Sequence, residues 1–165
     1  KKIVIWCINR STMQKVCSRI NNMGYLAKEI SGSVDLSERE SIIEEFKHQS
    51  LSVIVSNPQT MAESVSLHDV CHDAMYLEFS FNLTHMLQSR DRIHRLGLKD
   101  TDETNYYYFF SEGLPGMEGY IDDRIYDRLK DKESLMKKAV DGTRLSIDLD
   151  FNEKKEIAKI LDDKI

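Results

Sequence analysis

Ala74-Met75-Tyr76-Leu77-Glu78, followed after a short break by Leu83-Thr84-His85-Met86-Leu87-Gln88-Ser89-Arg90-Asp91-Arg92-Ile93-His94-Arg95-Leu96-Gly97, is the stretch whose reading decides the fold. The first part is a short apolar run suited to a buried strand, ending in an acid. The second has helical periodicity from Leu83 to Leu96. At about 100° per residue, Gln88, Arg92 and Arg95 fall on one face, with Leu83, Met86 and Ile93 roughly opposite. A strand leading into such a helix is half of a βα unit, with the apolar face on the sheet and two guanidiniums held in place. Solvated faces rich in Arg and Asp are common. A guanidinium held on a helix is also the group suited to gripping phosphate, because it is always charged and its donors form a rigid fork.

The same alternation runs through the rest of the chain. Ile3 to Cys7 is a buried strand, and Ser11 to Met23 a helix with Ser11 as N-cap and Gly24 just past its end. Tyr25 to Ile30 is a second strand and Ser31-Gly32-Ser33 a turn. Ser37 to Phe46 is a helix opened by Ser37 with Glu40 as a capping box. Leu51 to Ser56 is a third strand, broken by Asn57-Pro58, and Tyr106 to Phe110 follows the Leu83 helix as a fifth. Strands alternating with helices at this spacing predict an α/β three-layer sandwich with a mainly parallel sheet. In such sheets ligands bind beyond the carboxyl ends of the strands, so the loops 7–11, 31–39, 56–66 and 79–82 are where chemistry is expected.

Beyond Gly119 the pattern becomes a single helical stripe of Ile121, Ile125, Leu129, Met136 and Val140. We expect one α/β lobe over residues 1–118, a helix over 119–140 laid on it as a brace, and a linker with a charged C-terminal helix over 141–165. The chain has 165 residues, 41% hydrophobic and 31% charged, and a net charge of −5. That balance suits a soluble globular domain with a full core. The acidic total sits awkwardly with nucleic-acid binding, although residues 88–99 are locally basic. The three cysteines are scattered and lack C-x-x-C spacing, which predicts reduced structural thiols and no metal. The chain opens directly on a strand without a methionine, the start expected of a piece of a larger protein.

The run Gln88-x-x-Asp91-Arg92-x-His94-Arg95-x-Gly97 resembles motif VI of the Swi/Snf family of superfamily 2 helicase-like ATPases. Other segments resemble that family in order. Ile3 to Cys7 with Asn9-Arg10-Ser11 resembles motif IV, and Gly32-Ser33 with Arg39 resembles motif IVa. Tyr76-Leu77-Glu78 with Phe81-Asn82 resembles the strand ahead of motif VI, and Ile121 to Glu133 the family's bracing helix. Met61-Ala62-Glu63-Ser64-Val65-Ser66-Leu67 stands at motif V but departs from it, with Ser64 in place of the glycine and Ser66 in place of the asparagine.

The resemblance implies the second RecA-like lobe of an ATP-dependent double-stranded DNA translocase or remodeller. It implies Arg95 as arginine finger with Arg92 beside it, and Gln88, Glu63, Ser64 and Asp91 around the nucleotide. Asn9, Arg10, Ser31, Gly32, Ser33, Asn57 and Ser66 would touch DNA phosphates. ATP and Mg2+ would be held mainly by an N-terminal RecA-like lobe of the same polypeptide, since the chain has neither a Gly-x-x-x-x-Gly-Lys-[Ser/Thr] loop nor an Asp-Glu-x-His box. A cytoplasmic, nucleoid-associated bacterial or phage protein without a membrane segment is the corresponding setting. Another superfamily 2 helicase lobe, and a non-enzymatic α/β module binding a nucleotide or a protein, remain alternatives at this point.

Overall fold

The computed structural model describes residues 1–62, 65–94, 103–111 and 121–140. Its elements are β1 (Ile3–Trp6), α1 (Arg10–Asn22), β2 (Ala27–Ile30), α2 (Leu36–His48), β3 (Val53–Ser56), a 3-10 turn (Thr60–Ala62), β4 (Asp73–Tyr76), α3 (Leu83–Asp91), β5 (Asn105–Tyr108) and α4 (Ile121–Val140). All four strand pairings are parallel, in the order β2-β3-β1-β4-β5. The α/β architecture expected from periodicity is therefore present.

Chain direction explains the layers. From β1 the chain steps past β3 to β2, then turns back through β3 to β4 and β5. Right-handed crossovers put a connection on opposite faces when the direction of travel reverses. Accordingly α1 covers one face, where Met13 and Cys17 pack with Ile5, Ala27, Val53 and Val55. On the other face α2 pairs Glu45 with Lys28 of β2, and α3 bonds Ser89 to Tyr76 of β4. Trp6, Phe46, Ile54, Leu67 and Ile93 are fully buried. Strands buried on both faces read as continuous apolar runs, which is why Val53–Ser56 is buried at every position.

Several boundaries differ from the periodicity. β2 starts at Ala27, because Tyr25 turns back to the Ile20 carbonyl and Asn21 brackets Ala27 through both its amide atoms. Gly24 ends α1 with φ +88°, a left-handed conformation that favours glycine. The expected caps Ser11 and Ser37 both lie inside their helices. Asn9 and Asp35 hold the N-cap positions, neither with a side-chain capping bond, so the Ser37/Glu40 capping box does not form. The three cysteines are buried free thiols; burial raises the pKa of Cys7 to about 12 and of Cys17 and Cys71 to about 11.

The chain divides into two compact units, one of Lys1–Glu78 with Thr84–Phe109, the other of Phe79–Leu83 with the chain from Phe110. In the second, Phe79 stacks on Phe110 at 5.4 Å, and Tyr126 meets Phe110 edge-on at 5.3 Å. Lys132 Nζ donates to the Phe81 carbonyl at 3.4 Å. The α4 stripe is buried at Ile125 and Leu129, while Ile121, Met136 and Val140 are exposed; an apolar repeat buries only where there is something to pack on. No helix of the described residues is long and apolar enough to cross a membrane.

The core predicts a contrast measurable by chemical denaturation. Ile54, with no exposed surface, should cost about 2–5 kcal/mol when changed to Ala. Leu36→Ala, at a position 68% exposed, should cost under about 0.5 kcal/mol.

Candidate functional site

Because every pairing is parallel, the loops after β2, β3 and β1 leave the sheet along one edge in that order, bringing Ser31-Gly32-Ser33, Asn57 and Asn9-Arg10 into a row. Glu78, just past β4, closes the row. One oxygen of its carboxylate accepts the backbone N–H groups of Ile8 and Asn9, each at 2.7 Å. The other accepts Thr12 Oγ1 at 2.7 Å and Asn9 Nδ2 at 3.2 Å. Burial pushes the Glu78 carboxyl up, but the bonds from Thr12, Asn9 and Ile8 outweigh it and hold the pKa below the ordinary value. The two amides belong to the residues that lead into α1, so the carboxylate sits beside the positive end of the helix dipole.

That arrangement changes the reading of the β1 loop. The amides of Ile8 and Asn9 point inward to Glu78, and Asn57 Nδ2 donates to the Ile8 carbonyl at 3.1 Å while its Oδ1 accepts from Gln59 N at 2.8 Å. Asn9 and Asn57 thus cross-link neighbouring loops. Arg10 is the outward residue, its side chain 59% exposed and its Nε 3.3 Å from Glu29.

The β2 turn is stapled from behind. Arg39 Nε donates to the Val34 carbonyl at 2.8 Å and Nη2 to the Gly32 carbonyl at 3.4 Å, which accounts physically for an arginine six residues after Ser33. Ser31, almost fully buried, shares a 3.0 Å bond with Ser33. Open space lies where a Gly32 side chain would begin, so this turn leaves its backbone accessible. Ser66 bonds to His68 Nδ1.

The largest departure concerns α3, which ends at Asp91 instead of continuing to Leu96. Ile93 and His94 amides both return to the Arg90 carbonyl, at 3.2 and 3.1 Å. Arg92 was expected on an open helix face and is instead only 7% exposed. Its carbonyl accepts Leu67 N at 2.8 Å, and its Nη1 donates to the Val65 carbonyl at 3.2 Å. This double link joins the motif VI turn to the motif V segment. It competes successfully with continued helix, because Leu67 supplies a donor from a distant part of the chain. Met86 and Ile93 are buried as expected, Gln88 is half-buried and Asp91 exposed. Arg95, Glu63 and Ser64 lie outside the described residues.

Periodicity singled out Glu78 only as a strand-terminal acid. Its position directly after a buried strand, in a sheet where ligands approach strand ends, was the available signal; its four donors are 66 to 70 residues away in sequence.

Two outcomes follow. A carboxyl whose folded pKa is depressed stabilises the fold above its unfolded pKa, and that contribution disappears as pH falls through the folded value. Glu78→Gln should therefore lower the melting temperature at neutral pH and flatten its decline below about pH 4.5, the ordinary value, in thermal scans across pH. Arg92→Ala should cost about 1.5–3 kcal/mol of unfolding free energy in denaturant titrations, as expected for a charged donor removed from a buried bond.

Residues 1–97 match the model of the helicase conserved C-terminal domain. That match spans more than half of the chain and runs from β1 to the end of the motif VI sequence. Among solved structures, the C-terminal part of the Fun30 ATPase domain is similar, with a TM-score of 0.71 over 98% of this chain at 17% identity. The chain spans 46% of that structure's length, and the likeness at this identity is one of fold. No curated protein sequence matches. With its parallel RecA-like sheet and the family match over residues 1–97, the chain belongs to the helicase conserved C-terminal domain family.

Proposed function

We propose that this chain is the second lobe of a Swi/Snf-type, ATP-dependent double-stranded DNA translocase or remodeller, and that Arg95 is its arginine finger. The observation that carries the reading is the link between the motif V segment and the motif VI turn through Arg92. Sequence elements far apart in the chain meet there, next to the residues assigned to the nucleotide. Arg92 acts as the anchor of this junction, and Arg95, three residues on, as the group that meets the transferring phosphoryl. Gln88 and Asp91 flank the junction on α3, and Glu63 and Ser64 belong to the segment it holds.

Among the described residues no group of three or more His, Cys, Asp or Glu side chains is placed to hold a metal ion. Magnesium, which neutralises phosphate charge when bound, is assigned with ATP to an N-terminal lobe of the same polypeptide, because this sequence carries neither a Gly-x-x-x-x-Gly-Lys-[Ser/Thr] loop nor an Asp-Glu-x-His box. This chain's own residues then supply one thing to the reaction: positive charge at the γ-phosphate on closure. An interaction that strengthens only as the phosphoryl bond breaks accelerates turnover without tightening substrate binding.

Duplex DNA is assigned to the sheet edge. Glu78 lies beside the start of α1, bonded to the amides of Ile8 and Asn9, and a phosphate there would meet a carboxylate. Contact falls instead to Arg10, to the accessible backbone at Gly32 and to the hydroxyls of Ser33 and Ser66, with Asn9, Asn57 and the buried Ser31 holding the loops. A net charge of −5 suits weak, sequence-indifferent contact that strengthens only when a second lobe shares the duplex.

The test is kinetic and uses the full-length protein. Arg95→Ala should reduce DNA-stimulated ATP turnover by about 10³-fold or more, with KM for ATP and duplex affinity nearly unchanged. Near-wild-type turnover by that variant would refute the assignment.

A further inference from the structure

The family motif leaves Arg90, near the C-terminus of α3, unassigned, and both its side chain and its carbonyl are bound by strand β5. We propose that Arg90 is a positioning residue for the arginines that follow it: by binding strand β5 through both its side chain and its carbonyl, it sets the course on which the chain leaves α3 toward Arg92 and Arg95. The proposal rests on the assignment of Arg95 made above.

A helix leaves its last carbonyls without intrahelical donors. In α3 the Arg90 carbonyl is taken by three donors: Ile93 N at 3.2 Å, His94 N at 3.1 Å and Tyr106 Oη at 3.2 Å. Two of these shape the turn that carries Arg92, and the third ties that turn to β5. The side chain then returns to the same strand. Nε and Nη2 both donate to Tyr108 Oη, at 3.0 and 2.8 Å. The guanidinium carbon lies 5.8 Å from the Tyr106 ring and 5.9 Å from the Tyr108 ring, within cation–π range.

The strand end of this contact is itself held. Tyr108 stacks on Tyr76 of β4 at 4.8 Å with an interplanar angle of 14°. Tyr76 is buried and shares a 2.7 Å bond with Ser89 Oγ, which donates to the Met86 carbonyl at 2.7 Å. The loop of contacts runs from α3 to β5, across to β4 and back to α3. A guanidinium that spends two parallel donors on one phenol oxygen is fixed in direction as well as distance. Lysine lacks this fork.

Arg95 is the fifth residue after Arg90, so an error in the direction of the turn would be passed on to the finger. Misplacing a group by about 1 Å can cost about 10²-fold in rate. A residue that merely stabilised the fold would instead change the amount of folded protein and leave the turnover of what remains intact.

The experiment compares Tyr108→Phe and Arg90→Lys with wild type and Arg95→Ala in the full-length protein, measuring kcat and KM for ATP with duplex DNA alongside thermal unfolding. Tyr108→Phe keeps the stacked ring and removes only the acceptor. Both variants should lose about tenfold or more in kcat, with KM within about twofold and melting temperature within a few degrees of wild type. If both keep kcat within twofold while Arg95→Ala is inactive, Arg90 does not position the finger and only this inference fails. A loss of kcat that tracks the loss of folded protein has the same meaning. If Arg95→Ala itself retains turnover, the parent assignment falls and this one with it.

Discussion

The carboxylate of Glu78, accepting the N–H groups of Ile8 and Asn9 and the hydroxyl of Thr12 at 2.7 Å each, is the interaction on which the candidate site depends. It joins the end of β4 to the start of α1, two segments brought side by side only by the parallel sheet. Asn57 extends the tie to the loop after β3. Helix α1 lacks a side-chain cap, and the carboxylate holds the two residues that lead into it. Burial alone would disfavour the charge. The convergent donors reverse that balance, and the depressed pKa of Glu78 records it.

An internal anion at this place determines what the edge can bind. The crevice between β1 and β4, where connections leave toward opposite faces, is where small ligands enter many α/β sheets. Here protein fills it. The accessible polar surface lies to the β2 side, at Gly32 and Arg10. Under the proposed function that surface would meet a backbone phosphate, and the finger would contribute only on closure of the lobes.

The layered fold was legible because its central strands are buried on both faces. Ile3–Trp6 and Val53–Ser56 are apolar at nearly every position, and no helix reads that way over so short a run. Element ends were less legible, since nonlocal partners decide them. Tyr25 and Leu26 have strand character, yet Ile20 and Asn21 claim the adjoining backbone for a turn. The helical pattern to Leu96 is broken where Leu67 and Val65 engage Arg92. A helical wheel places that arginine in solvent; the tertiary structure buries it. The α4 stripe carries the opposite lesson, since Met136 and Val140 keep the period of buried residues and remain exposed. Spacing singled out the arginines of the motif VI run and the small-residue turn as candidates. It gave no sign of the bonds made by Arg39 and Arg90, whose acceptors are backbone and phenol oxygens with no sequence signature.

The central claim is that this lobe acts on the transition state of phosphoryl transfer through Arg95. Its most direct test is the affinity of the full-length protein for ADP with aluminium fluoride, a mimic of the transferring phosphoryl group, against its affinity for ADP alone, each with duplex DNA bound. Wild type should bind the fluoride complex far more tightly than ADP, and Arg95→Ala should lose this difference while its ADP affinity is unchanged. Equal tightening in both proteins would contradict it.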